Sequence, residues 1–196
     1  MMTMKTISLD LIPELTANQK EIDRNVQAGR SAVISWAGLT RKSSGRVSEY
    51  LKRQGFDPEV IPKVIDSLKE DRTIDDERLA RKIIQQRRDR QQESRLALAS
   101  RLANMGIDSV VIEDVLASEH PFELDQQSAA SVFHQRFGHL FNELKAQQDQ
   151  LDALDFKRKC AQLSGKAARF LSTRGFSESI IVDTLRQAGL MTDGFE

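Results

Sequence analysis

Residues 98–116, LASRLANMGIDSVVIEDVL, contain the pattern that decides the fold. Leu98 and Leu102 precede Gly106 at helical spacing, and an apolar residue and then Asp108 follow the glycine. A glycine after a helix can adopt the left-handed conformation that ends it, and aspartate is a preferred N-cap for the next helix. The stretch therefore predicts a helix, a tight turn and a second helix packed against the first.

The same pattern occurs twice more without gaps. Residues 47–65 read VSEYLKRQGFDPEVIPKVI, and residues 167–185 read AARFLSTRGFSESIIVDTL. The equal offsets indicate an internal repeat, which is typical of helical arrays. The turn and cap positions predicted from the three copies are Gly55, Asp57, Gly106, Asp108, Gly175 and Ser177.

A third helix is expected before each pair, at 22–40, 76–91 and 126–160, because two helices alone bury too little apolar surface. The glycines lie 51 and then 69 residues apart, so the third unit carries 18 more residues, which we place within 126–160. The segment 1–21 is unlike the repeats and is either a tail or a strand-like arm. The predicted fold is all-α, an elongated tandem array of three three-helix units: an N-terminal extension (1–21), repeat 1 (22–71), repeat 2 (72–118) and repeat 3 with an insertion (119–196).

Composition limits the classes of function. The 196 residues carry 29 Lys plus Arg and 29 Asp plus Glu, and this zero net charge argues against a simple basic DNA-coating protein. No apolar run reaches the length of a membrane span, and the start does not resemble a signal peptide. The single cysteine, Cys160, cannot form an internal disulfide. We expect a soluble, cytoplasmic, monomeric protein that does not contact membranes.

A motif at residues 73–80 permits comparison with a known family. It reads TIDDERLA, and a basic helix ending QQRR at residues 85–88 follows it. This resembles the RecX family of bacterial recombination regulators, whose central unit carries an Asp-Asp-Glu/x-Arg/x-Phe/Leu-Ala signature before a basic helix. The family's Arg-x-x-Ser and Arg-Gly-Phe-Ser elements are similar to Arg41–Ser44 and Arg174–Ser177, so the resemblance covers about residues 28–188.

The resemblance implies a stack of three-helix units that binds RecA filaments on DNA. Such a protein blocks filament growth or strand exchange and also binds single- or double-stranded DNA weakly. On this interpretation the chain is a regulator of recombinase activity in DNA repair and recombination, with no catalysis and no cofactor. It departs from the family at residues 89–93, DRQQE, where the family often has glycine and more basic residues, and in its 18 additional residues.

The helix that starts near Asp76 separates apolar from basic side chains. At about 100° per residue, one arc contains Leu79, Ala80, Ile83 and Ile84, whereas the opposite arc is basic or amide except for Asp89. A merely solvated face normally mixes charge signs, so this arc predicts a surface that faces phosphates or acidic groups. Arg87 and Arg90 fall on the apolar arc and are expected to lie beyond the local core, free for a partner.

A second basic run covers residues 157–174, which carry six basic and no acidic residues. It follows an acidic region, 102–156, with two basic and ten acidic residues. Such a run is suited to contact with phosphates. The residues predicted to face RecA or DNA are Arg78, Arg81, Lys82, Arg87, Arg88, Lys157 and Arg158.

Asp75 and Asp76 are interpreted as helix-start residues that satisfy N–H groups and complement the helix dipole, not as a metal or acid–base pair. The three histidines lack the spacing of a metal set, and no nucleophile triad or phosphate-binding glycine loop is recognisable. We therefore expect neither an enzyme nor a metal site, and we place Trp36 in the core.

Two alternative functions stay open. A stand-alone nucleic-acid-binding repeat protein would bind DNA equally with and without RecA. A protein-interaction scaffold that uses the acidic region 102–156 would show no salt-sensitive DNA binding.

Overall fold

The structure is a computed structural model that describes residues 11–38, 42–90 and 92–191, without the side chains of residues 11–17, 89 and 90. Every regular element within these ranges is helical, which confirms the all-α prediction. A short 3-10 helix, Gln148–Gln150, lies between the seventh and eighth α-helices. The α-helices are α1 (Leu11–Ala37), α2 (Ser44–Arg53), α3 (Val60–Glu70), α4 (Asp76–Arg90), α5 (Arg95–Asn104), α6 (Ser109–Glu119), α7 (Glu123–Ala146), α8 (Ala153–Thr173) and α9 (Glu178–Gln187).

The chain divides into two compact units at the bond between Asp76 and Glu77. In the first unit, α1, α2 and α3 pack around a cluster that includes Val33, Leu51 and Val64. The second unit holds two clusters. One joins α4 to α5 and α6 around Ile84 and Leu102, and the other joins α7, α8 and α9 around Phe133 and Leu171. The division into three repeats stays a prediction.

The three glycine turns share one hydrogen-bond pattern. Gly55, Gly106 and Gly175 have φ values of 81°, 78° and 81°. In each turn the residue after the glycine donates its N–H to the carbonyl five residues back, as Ile107 does to Leu102 at 3.2 Å. This is the Schellman arrangement, which satisfies carbonyls at the end of the helix. Gly189 closes α9 in the same way, with φ of 76°, although the sequence repeat did not reveal it.

Most of the helices that follow a turn are capped at their start by a side chain. The carboxylate of Asp108 accepts from the N–H of Val110 at 2.9 Å, and the hydroxyl of Ser177 accepts from the N–H of Ile180 at 3.4 Å. Asp57 also accepts an N–H, from Glu59 at 2.8 Å, but α3 starts only at Val60. Asp57 therefore stabilises the turn that leads into the helix, and the helix begins later than the repeat predicts.

The additional residues of the third repeat lengthen two helices. α7 has 24 residues and α8 has 21, whereas the corresponding helices of the predicted second repeat, α4 and α5, have 15 and 10. The described part of the N-terminal extension, from residue 11 to 21, is the start of α1, so it is neither a tail nor a strand-like arm. Residues 1–10 and Arg41 lie outside the described residues.

Candidate functional site

α4 places its apolar side chains as its periodicity predicts. Ala80 and Ile84 are fully buried in the cluster with α5 and α6, and Leu79 and Ile83 pack against that cluster while half-buried. Its basic side chains Arg78, Arg81, Lys82 and Arg88 are exposed on the other side. The helix thus exposes cations to solvent while its opposite side is packed against α5 and α6.

Glu119, at the end of α6, reaches two of these arginines. Its carboxylate lies 4.0 Å from Arg81 and 3.8 Å from Arg88, and Arg88 also donates to its backbone carbonyl at 2.5 Å. Arg81 makes a further ion pair with Glu77 one turn earlier in α4. The face is therefore not of a single charge sign, because an acidic residue distant in sequence partly neutralises it. No sequence signal had marked Glu119.

Arg87 is not free for a partner, contrary to the expectation. It is half-buried and lies 3.5 Å from the carboxylate of Glu93, in the segment that follows α4. The same carboxylate accepts two hydrogen bonds from Arg101, at 2.7 and 3.0 Å, and these raise the pKa of Arg101. Glu93 thus links Arg87 of α4 to Arg101 of α5 through one carboxylate. The side chain of Arg90 lies outside the description.

Lys82 is a predicted cation of α4 that makes no ion pair among the described residues. It is exposed and lies one turn from Arg78, which is exposed as well. Lys82 is therefore well placed to meet an external anionic group.

The other predicted cations, Lys157 and Arg158, lie in the second turn of α8. Arg158 is 72% exposed and stays 3.7 Å from Asp155. Lys157 lines a groove of about 600 Å³ together with Phe156, Cys160 and Met191, and burial raises the pKa of the Cys160 thiol. α4 and α8 contribute to different hydrophobic clusters, so the structure does not bring the two predicted basic segments into one packed site.

Asp76 serves a helix other than its own. Its buried carboxylate accepts from the backbone N–H of Ser44 at 2.9 Å and from the Ser44 hydroxyl, at the first residue of α2. Asp125, near the start of α7, does the same for α5, since it accepts from the N–H of Arg95 at 2.8 Å. Both acids accept hydrogen bonds from N–H groups at the start of a helix that is distant in sequence. The residues around a helix start do not predict such a contact.

A buried polar cluster surrounds Asp125. His120 Nε2 lies 2.8 Å from the Asp125 carboxylate, and the Arg95 guanidinium donates to the His120 carbonyl at 2.9 Å and to Glu113 at 3.0 Å. Arg95, His120 and Asp125 are all buried. The cluster ties the start of α5 to the α6–α7 junction, which explains why His120 is not an exposed residue.

Trp36 is not a core residue, contrary to the expectation. It is 39% exposed and stacks on Tyr50 with ring centroids 4.3 Å apart. Among the residues that the structure covers, no group of three or more His, Cys, Asp or Glu side chains could hold a metal ion. None of the described helices is both long and apolar enough to cross a membrane.

Comparison with curated proteins gives a consistent set of relatives. The regulatory protein RecX of Streptococcus equi subsp. equi is 28% identical over 165 residues, which are 84% of this chain and 57% of that protein. RecX of Clostridium botulinum is 27% identical over 159 residues, 81% of this chain and 68% of its own length. The chain thus spans 57% of the length of the first relative. No model of a protein family matches it.

Solved structures share the fold. RecX from Lactobacillus salivarius superposes with a TM-score of 0.61 at 17% identity, over 86% of this chain and 99% of that one. A crystal structure of another regulatory protein RecX gives a TM-score of 0.55 at 16% identity, over 95% of this chain and 81% of the other. Together with the curated relatives, these matches confirm the resemblance to the RecX family.

Proposed function

We propose, from the similarity to RecX proteins in sequence and fold, that this chain is a RecX-like regulator that binds RecA filaments on DNA and inhibits the recombinase. The observation that carries the proposal is the match to curated RecX proteins along 84% of the chain. Regulation here is by binding, without a cofactor or a chemical step. The protein acts as a monomer in the cytoplasm, where RecA assembles on DNA.

The exposed cations of α4 support this function as a contact surface. Arg78 and Lys82 project from a helix whose opposite side is packed against α5 and α6. Cations on a rigid element can meet phosphates or acidic side chains with little loss of conformational entropy. Arg81, Arg87 and Arg88 already have carboxylate partners within the fold, and we assign them a supporting part.

The direct test is RecA-catalysed ATP hydrolysis on single-stranded DNA with this protein titrated in. The expected result is a concentration-dependent decrease in hydrolysis, because an inhibitor of filament growth lowers the amount of active RecA. Unchanged hydrolysis at concentrations far above those of RecA would contradict the proposal. A DNA-binding affinity that is equal with and without RecA would favour a stand-alone nucleic-acid-binding protein. The absence of salt-sensitive DNA binding would favour a protein-interaction scaffold.

Two matched single variants test the role of α4. Lys82→Gln removes an exposed cation that makes no ion pair among the described residues, and Arg88→Gln removes the same charge from a residue that contacts Glu119. We expect the first to weaken inhibition of RecA severalfold with an unchanged melting temperature, since exposed substitutions cost within about 0.5 kcal/mol. The second is expected to weaken inhibition less. Full inhibition by a folded Lys82→Gln protein would remove Lys82 from the contact surface.

A further inference from the structure

α8 carries a second cationic surface, and its charges are not neutralised as those of α4 are. Lys159, Lys166 and Arg169 are all exposed, and among the described residues no ion pair joins any of them to a carboxylate. By contrast, Arg81, Arg87 and Arg88 of α4 each lie within 4.0 Å of a glutamate. Among the described side chains, α8 therefore carries three exposed cations without a carboxylate partner.

These residues share one side of the helix. At about 100° per residue, the side chains of residues 158–173 that fall within an arc of about 100° are Arg158, Lys159, Gln162, Lys166, Arg169 and Thr173. The acid on the same arc, Asp155, lies in the first turn and pairs with Arg158. Beyond that turn the arc holds basic, amide and hydroxyl groups alone.

The opposite side of α8 holds the surface rigid. Leu163, Ala167 and Leu171 are buried in the cluster that joins α8 to α7 and α9. The helix therefore cannot rotate to hide its cations. Lys159 and Arg169 are ten residues apart, so the surface extends about 15 Å along the helix axis. That length corresponds to several phosphates of one nucleic-acid strand, at about 3.4 Å per nucleotide.

The chemistry of this arc fits a phosphate backbone better than a protein surface. The cores of protein interfaces are apolar and enriched in aromatic residues, and the arc from 158 to 173 contains no apolar side chain. It also contains no aromatic ring on which a base could stack. A surface that has cations but neither of these features binds the backbone of nucleic acid without sequence preference.

We propose that Lys159, Lys166 and Arg169 of α8 form the nucleic-acid-backbone contact of this protein. The inference rests on the proposed function, because it assigns to α8 the DNA contact made within a RecA–DNA filament. On this assignment, α8 supplies the contact with the strand. Of the two residues assigned from the sequence, Lys157 lies on another side of α8 and lines the groove, whereas Arg158 lies on this arc but is paired with Asp155.

The test uses the full chain and a fluorescein-labelled single-stranded oligonucleotide of mixed sequence, followed by anisotropy at several salt concentrations. The variant is Lys159→Gln/Lys166→Gln/Arg169→Gln. The control, Lys52→Gln/Arg53→Gln/Lys63→Gln, removes three exposed charges from the first unit. Because each phosphate contact on a single strand contributes about 0.7 to the log–log salt slope, we expect the α8 variant to lose about 2 from the slope and to bind more weakly. The control is expected to match the wild type.

Inhibition of RecA is measured on the same proteins, so that the two proposals fail separately. Wild-type salt slope and affinity in a folded α8 variant overturn the assignment to α8, whatever the RecA result. The same holds if the wild type does not bind the oligonucleotide, or if the variant loses affinity for DNA-free RecA alone, which would make α8 a protein contact. Loss of DNA binding in the variant, with a wild type that never inhibits RecA, supports the α8 surface and contradicts the RecX-like function.

Discussion

Gly55 and Gly175 occupy equivalent turns in different surroundings. Both have φ of 81°, which an L side chain adopts only at a cost. A Cβ atom on Gly55 would meet nothing within 4 Å, whereas a Cβ on Gly175 would lie 2.7 Å from the Ser94 hydroxyl and 2.8 Å from the Ala97 Cβ. The Ser94 hydroxyl donates to the Gly175 carbonyl at 2.6 Å, so this neighbour is held in place. Gly175 is therefore constrained by conformation and by packing.

The pair provides a prediction at the residue scale. Gly55→Ala should lower the free energy of unfolding by about 1–2 kcal/mol, the cost of a left-handed residue. Gly175→Ala should cost at least about 1 kcal/mol more, because overpacking adds to the strain. Urea denaturation of both variants measures the difference. Equal losses would mean that the α5 start moves away from the turn without cost.

At the scale of one element, Ile83 and Ile84 both lie on the apolar side of α4 but differ in burial. Ile84 is 1% exposed, whereas Ile83 is half-buried at the edge of the same cluster. Ile84→Ala should cost about 2–5 kcal/mol of unfolding free energy, as expected for a buried isoleucine. Ile83→Ala should cost less. Thermal denaturation checks the order, and a larger effect at Ile83 would contradict the packing of α4.

The link between α1 and the end of α3 predicts a pH dependence. The hydrogen bond from Thr73 and then the one from Arg30 lower the pKa of Asp71 from 3.8 to about 2. The stability that the folded carboxylate contributes is therefore fully present above pH 3.8 and is lost as the pH falls through about 2. The melting temperature of Asp71→Asn should lie below that of the wild type near neutral pH and approach it in acid. Glu70→Gln, which changes an exposed neighbour, should show no such convergence.

At the scale of the whole molecule, the buried cluster of Asp125 connects distant segments of the second unit. Asp125→Ala leaves the N–H of Arg95 and the ring of His120 without their acceptor. Such a loss in a buried site should cost about 3 kcal/mol of unfolding free energy. Glu123→Ala removes an exposed acid from the same first turn of α7, and serves as the control for the helix dipole. Similar losses in the two variants, measured by urea denaturation, would show that the buried cluster contributes little.

Sequence alone determined the local architecture of this protein. Gly106, Asp108 and the apolar spacing of 98–116 specify helix ends, a turn and a buried side, because left-handed backbone, N-capping and helical periodicity act within a few residues. The resemblance to RecX regulators rested on equally local motifs.

Tertiary structure decided which charges are available to a partner. Glu119 lies 31 residues from Arg88, and Ser44 lies 32 residues from Asp76, yet each pair is in contact. Linear spacing predicted a free Arg87 and a single-sign face on α4, and both expectations were wrong because Glu93 and Glu119 fold onto that helix. Ion pairing depends on distances of a few ångströms in space, which only the packing of the helices establishes.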